Sequence, residues 1–313
     1  MNRLISFRNK IESFYLKHSR VLGFIGRMLI TFACLMILRR YVNYNSILSS
    51  IWAVIILSVV CGFVPMRFLM VIVLAYTVAQ VFTLSTALGI VFLIILALMY
   101  LLFFRYAPTY GPALMLMPIL FLVRIPALIP ILLAIIGPAV SVIVVIFGTI
   151  FYYLIYFLDM NAATFASTTG TLEFTKVEIL VEGVFRNKEF LLMVAVLFAV
   201  FMIVHFMKRI NYNYSVEIAI AVGTGAYIVL SLAAELALHT LTTQRLLNFV
   251  IGGLIAGALA LLINSIFRPL DYSRTENVEF EDDEYNYYVK AIPKASFEKE
   301  RVQVKRINKR KIL

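Results

Sequence analysis

Tyr110–Pro138 reads YGPALMLMPILFLVRIPALIPILLAIIGP, a stretch apolar enough for lipid yet interrupted by Pro112, Pro118, Pro126, Pro130 and Pro138. Proline removes a backbone donor and breaks helices, so the pattern predicts two short helical legs joined by a kinked turn at Arg124–Pro126. A leg of about 12 residues rises only ~18 Å, against ~30 Å for a hydrocarbon core. A re-entrant hairpin within 111–138 is therefore expected, with two short spans as the other possibility. Lipid cannot satisfy broken backbone, so the rest of the chain is expected to pack around this element.

The composition agrees with a membrane setting. The chain has 313 residues, 62% hydrophobic and 14% charged, whereas a soluble domain carries about a quarter charged residues. Its net charge of +11 lies at the ends of apolar runs and in the termini, which fits the positive-inside pattern and argues against nucleic acid as a partner. Cys34 and Cys61 each sit inside an apolar run, where they read as packing residues; neither a disulfide framework nor a metal site is indicated.

Outward from the broken stretch, apolar spans are expected at Val21–Leu38, Ile47–Val64, Phe68–Phe82 and Leu88–Phe104 before it. Ala139–Leu158, Phe190–Met207, Ile218–Leu238 and Leu246–Phe267 follow it. The fold class is thus an all-α polytopic integral membrane protein of about eight transmembrane helices plus the re-entrant hairpin, or ten spans. Either count puts both termini on one side. Residues 1–20 read as an amphipathic cytoplasmic helix, and the basic residues favour cytoplasmic N- and C-termini in the cell membrane, although Arg39 and Arg40 oppose it.

Residues 159–189 form the long external loop, with an interfacial helix expected where Phe174, Val177, Val181 and Val184 recur on one face. In the last span Gly253 and Gly257 have G-x-x-x-G spacing, a close-packing signal that serves either helices of the same chain or a homo-oligomer seam. After Arg268 the composition changes. Residues 276–284 hold six acids and residues 290–311 hold nine bases against two acids. Val278 and Phe280 alternate before an acidic turn, and Tyr285, Tyr287, Val289 and Ala291 alternate after it, which predicts a β-hairpin in the cytoplasmic tail, 269–313. Arg301–Arg306 alternates again as a third possible strand.

Ionisable groups inside apolar runs are costly and are usually retained because they pair or line water. Arg124 at the apex of the broken stretch is the candidate for binding an anionic substrate group, with Glu235 as its counter-ion or as a proton-coupling acid, and Gln80 as a further substrate-binding candidate. The plain alternative is that Arg124 and Arg27 snorkel and Glu235 reaches the interface. Asn248 and Asn264 read as interhelical hydrogen-bond partners. No H-E-x-x-H, G-x-S-x-G or P-loop occurs, so no catalytic, metal-binding or cofactor-binding residue is assigned and an enzyme is not expected.

The pattern at Arg124–Pro130 resembles the arginine-proline re-entrant motif of DedA-type lipid transporters, without that motif's glycine and second arginine. No family membership is read from so short a match. Two functions follow from the residues themselves. One is translocation of a lipid or small solute through a site near the broken helices. The other is a non-catalytic scaffold of a bacterial envelope complex, engaging a protein partner through the charged tail.

Overall fold

The computed structural model describes residues 17–106, 108–167, 173–210, 212–267, 276–281 and 285–291. The amphipathic helix expected over residues 1–16 and the strand expected at Arg301–Arg306 lie outside them. The chain divides into two units, His18–Leu262 and the remainder.

The larger unit is helical throughout. Its first four helices are α1 (Ser19–Tyr41), α2 (Ile51–Phe63), α3 (Leu69–Leu84) and α4 (Thr86–Tyr106). Two short helices follow, α5 (Gly111–Leu122) and α6 (Leu128–Ile136), then α7 (Val142–Met160), α8 (Ala162–Ser167) and α9 (Glu173–Phe185). The last three are α10 (Lys188–Met207), α11 (Ser215–Ala237) and α12 (Thr243–Phe267). Among the described residues, five helical segments are long and apolar enough to cross a membrane: Ser19–Tyr41, Ala139–Met160, Lys188–Met207, Ser215–Ala237 and Thr243–Ile266. The expected count of eight spans is not shown by length: α2 has 13 residues and α3 has 16, or ~20 and ~24 Å of rise, and α4 enters only over its apolar part, Thr86–Leu102.

The broken stretch lies at the centre of this unit. α5 packs against α1, α3 and α7, while α6 packs against α7, α10 and α11. From Ile125 to Ile135 every residue is buried except Leu132, which is partly so. Pro118 sits inside α5, whereas Pro130 falls in the first turn of α6, where no intrahelical donor is lost.

α5 and α7 run side by side in the same direction. The Met117 side chain lies where a Cβ on Gly148 would stand, and one turn on, the Phe121 and Tyr152 rings stack at 4.2 Å between centroids. After the turn α6 heads back along α10. Its last carbonyls, those of Ala134 and Ile135, and the Gly137 carbonyl beyond accept from Lys208 Nζ at the end of α10. A cation on exposed helix-end carbonyls also meets the negative end of the macrodipole. His205 reinforces this join. Arg209 can only donate, so His205 Nε2 accepts from it at 2.8 Å, leaving Nδ1–H to donate to Ala134 at 3.3 Å.

In α9 the buried residues are Lys176, Leu180 and Val184, while Gly183 is half-buried and Val181 is exposed. The helix expected in the second half of 159–189 is present, with its packed face turned from the expected one because Gly183 lets the Phe157 ring approach. The G-x-x-x-G pair packs inside the chain: Gly253 faces Tyr227 and Ile228, and Gly257 faces Thr224, all on α11.

In the smaller unit, β1 (Glu276–Glu281) and β2 (Asn286–Ala291) pair antiparallel with Val278 opposite Val289 and Phe280 opposite Tyr287. The latter rings stack at 4.8 Å. This is the hairpin that the alternation predicts.

Candidate functional site

Ile119 to Pro126 shows how the turn is made. Ile125 N–H donates to the Leu120 carbonyl at 2.8 Å and Arg124 N–H to Phe121 at 3.1 Å, the hydrogen-bond pattern of a Schellman helix end. Arg124 takes the left-handed position there, with φ of 65°, a place that usually belongs to glycine. Its carbonyl lies where a Cβ on Gly252 would stand, so only glycine at that point of α12 admits the turn. The side chain donates from one terminal nitrogen to Asn248 Oδ1 at 2.6 Å, one turn earlier on α12.

A second helix end of the same kind faces it. α11 stops with Thr240 N–H donating to the Glu235 carbonyl and His239 N–H to Leu236, His239 being left-handed at φ 55°. That reversal brings α12 back beside α11 and sets Arg245 against Glu235. Nη1 of Arg245 lies 2.9 and 3.0 Å from the two Glu235 oxygens and 3.0 Å from Glu189 at the start of α10. The Glu235 side chain is 6% exposed, against 40% for Arg245 and 44% for Glu189. Thr240 Oγ1 donates to Glu235 at 2.6 Å, so the buried carboxylate is paired and hydrogen-bonded, as burial of a charge requires.

These groups share one cavity of about 220 Å³, walled by Phe121, Pro126, Tyr152, Met193, Tyr227 and Phe249 and edged by Arg124, Asn248, Glu189, Glu235 and Arg245. Arg245 carries both acids. Among the described residues no carboxylate is paired with Arg124, whose partner is a neutral amide.

The structure thus brings Arg124 and Glu235 into one cavity but does not pair them: the counter-ion of Glu235 is Arg245, ten residues on across a tight reversal. Gln80 is elsewhere. It is fully buried, accepting from Tyr44 and Asn45 N–H and donating to Ser49 Oγ and Tyr76 Oη, so it holds the 42–50 loop to α3. In that loop burial, with Asp159 nearby, pushes the Tyr44 hydroxyl up to about 12, and it donates to the Leu158 carbonyl at 3.2 Å. Arg27 donates to the Gly62 carbonyl near the end of α2 at 3.0 Å, and Asn248 makes the interhelical bond expected of it.

Glu189, Arg245, Tyr152 and Tyr227 were not singled out by sequence reasoning. One signal for Tyr227 was present: Tyr227, Ser231 and Glu235 recur every four residues on α11, a polar stripe in an apolar helix. Glu189 and Arg245 stand at helix starts far apart in the chain, with no local pattern to join them.

Fold and site together define a helical chain with, among the described residues, five helices long and apolar enough to cross a membrane and a charged cavity at the tip of a broken helix pair. Comparison with family models, curated proteins and solved structures finds no match, so the functional reading rests on the geometry.

Proposed function

We propose that the protein translocates a small solute or lipid headgroup through the cavity at the hairpin tip. The observation that carries this reading is the convergence there of Arg124, held by a neutral amide, with the Glu235–Arg245–Glu189 group. Discontinuous helices whose ends meet inside a bilayer commonly line substrate sites. In this reading α5 and α6 form a re-entrant pair entering from the cytoplasmic face of the cell membrane. α1, α2, α3, α4, α7, α10, α11 and α12 are the eight spans, the short ones seated where the bilayer thins. Both termini are cytoplasmic, which places Arg67, Lys208 and Arg209 inside.

The test uses protein lacking Cys34 and Cys61, with Met193→Cys in the cavity wall, in sealed membranes. Impermeant thiol reagent applied to each face in turn is expected to label this position from both, as an alternating pathway requires. Labelling from one face alone reduces the site to a receptor pocket, and no labelling from either overturns it.

A second reading, as a scaffold, is favoured by the exposed Val278, Phe280 and Val289 of the small hairpin, since two strands alone are marginally stable. Deleting residues 272–313 is then expected to release a co-purifying protein while the helical unit stays folded; an unchanged set of partners contradicts it.

A further inference from the structure

Resting on that reading of the cavity, we propose that its substrate is a small zwitterion bearing an oxyanion and an ammonium group. The distribution of charge carries the step. Two arginines and two glutamates line the cavity. Arg245 Nη1 has two hydrogens to donate but faces three carboxylate oxygens, two from buried Glu235 and one from half-exposed Glu189. Leaving Glu235 uncompensated in the interior costs far more than releasing Glu189 to water, so Arg245 belongs to Glu235. Two poles are then left incompletely answered: a cation at the hairpin tip, Arg124, whose partner Asn248 is neutral, and an anion at the start of α10, Glu189, which shares its only paired cation among the described residues, Arg245, with the buried Glu235.

A simple anion satisfies Arg124 and meets repulsion from Glu189; a simple cation does the reverse. A zwitterion satisfies both, and each wrong partner is rejected by the pole it cannot answer. The stacked Phe121 and Tyr152 rings, with Tyr227 and Phe249, add aromatic faces that favour an ammonium group. A volume of about 220 Å³ is the scale of a small solute such as an amino acid or a phosphoethanolamine headgroup.

The experiment is thermal unfolding of the purified full chain in detergent with free leucine, free glycine or phosphoethanolamine, against acetate, inorganic phosphate and ethanolamine. A parallel series uses nanodiscs of phosphatidylethanolamine or phosphatidylglycerol. At least one zwitterion is expected to raise Tm saturably while the single-charge probes do not. R124Q and E189Q are each expected to weaken its apparent affinity tenfold or more, and E182Q, in an exposed pair outside the cavity, to leave it unchanged. Protection by an amino acid supports the proposal with a free solute; protection confined to phosphoethanolamine and phosphatidylethanolamine supports it with a lipid headgroup. Equal, Arg124-dependent protection by acetate or phosphate overturns the zwitterion and leaves the site standing. No protection by any probe overturns the zwitterion, and the site then stands or falls on the labelling of Met193→Cys.

Discussion

The two ends of the broken helix pair are built in opposite ways. At the foot, where α6 ends, Lys208 reaches the Ala134, Ile135 and Gly137 carbonyls, and His205 is bonded on both ring nitrogens. At the tip, Arg124 occupies a left-handed position suited to glycine, donates to one neutral amide and borders a cavity. The foot uses its charge to satisfy backbone, and its contacts are closed. The tip leaves charge available at a cost in backbone strain, the pattern expected where a site and not a joint is being made.

Breaking the ion pairs above the tip has the largest expected effect on stability. R245L leaves Glu235 buried without a cation and is expected to destabilise by ~3–5 kcal/mol in thermal unfolding of the purified protein. The double variant R245L/E235L removes the orphaned charge and is expected to recover most of the loss; no recovery means the pair is not what holds α11 to α12 here. At the foot, K208M removes charge-assisted bonds to the helix-end carbonyls, an expected loss of ~1.5–3 kcal/mol, with no change in access to the cavity. A change in cavity labelling without loss of stability makes the foot part of the site and erases the contrast.

G252A tests how tightly the tip is seated. The new Cβ runs into the Arg124 carbonyl, and backbone cannot give way as a side chain does, so ~1–3 kcal/mol is expected with altered labelling at the tip. R124G has the smallest expected effect on stability. Relief of the left-handed strain, ~1–2 kcal/mol, is offset by glycine's backbone entropy and the lost Asn248 bond, so the unfolding free energy stays within about 1 kcal/mol of the parent. Zwitterion binding is nevertheless expected to disappear. A loss of 2 kcal/mol or more makes Arg124 a structural residue.

Much of this was legible in the sequence because local chemistry decided it. The prolines placed the break, hydrophobic runs placed α1 to α4, α7 and α10 to α12 within a few residues, and alternation placed the β-hairpin pairing. Membrane depth marked Arg124 and Glu235, since an ionisable residue in an apolar run stands out from its neighbours. The partners did not show. Arg245 meets Glu235 only because His239 turns the chain left-handed, and Glu189 meets Arg245 only through the packing of α10 against α11. Gln80 stood out in the same way as Arg124, yet three of its four hydrogen bonds are consumed by a loop, a difference that depends on residues 31 or more positions away. A polar residue in an apolar run announces that it needs partners, not which ones it finds.

The central claim is that the chain turns back at Arg124, so both feet of the helix pair lie on one face of the membrane. It is tested most directly with single cysteines at the exposed positions Thr109 and Ala139, and at Ile47 as the reference for the other face, in protein lacking Cys34 and Cys61. Impermeant thiol reagent is applied to sealed vesicles of known orientation. Labelling of Thr109→Cys and Ala139→Cys from the same face, with Ile47→Cys labelled only from the opposite one, is the result the account predicts. Labelling of Thr109→Cys and Ala139→Cys from opposite faces means that the broken stretch crosses the bilayer, and contradicts it.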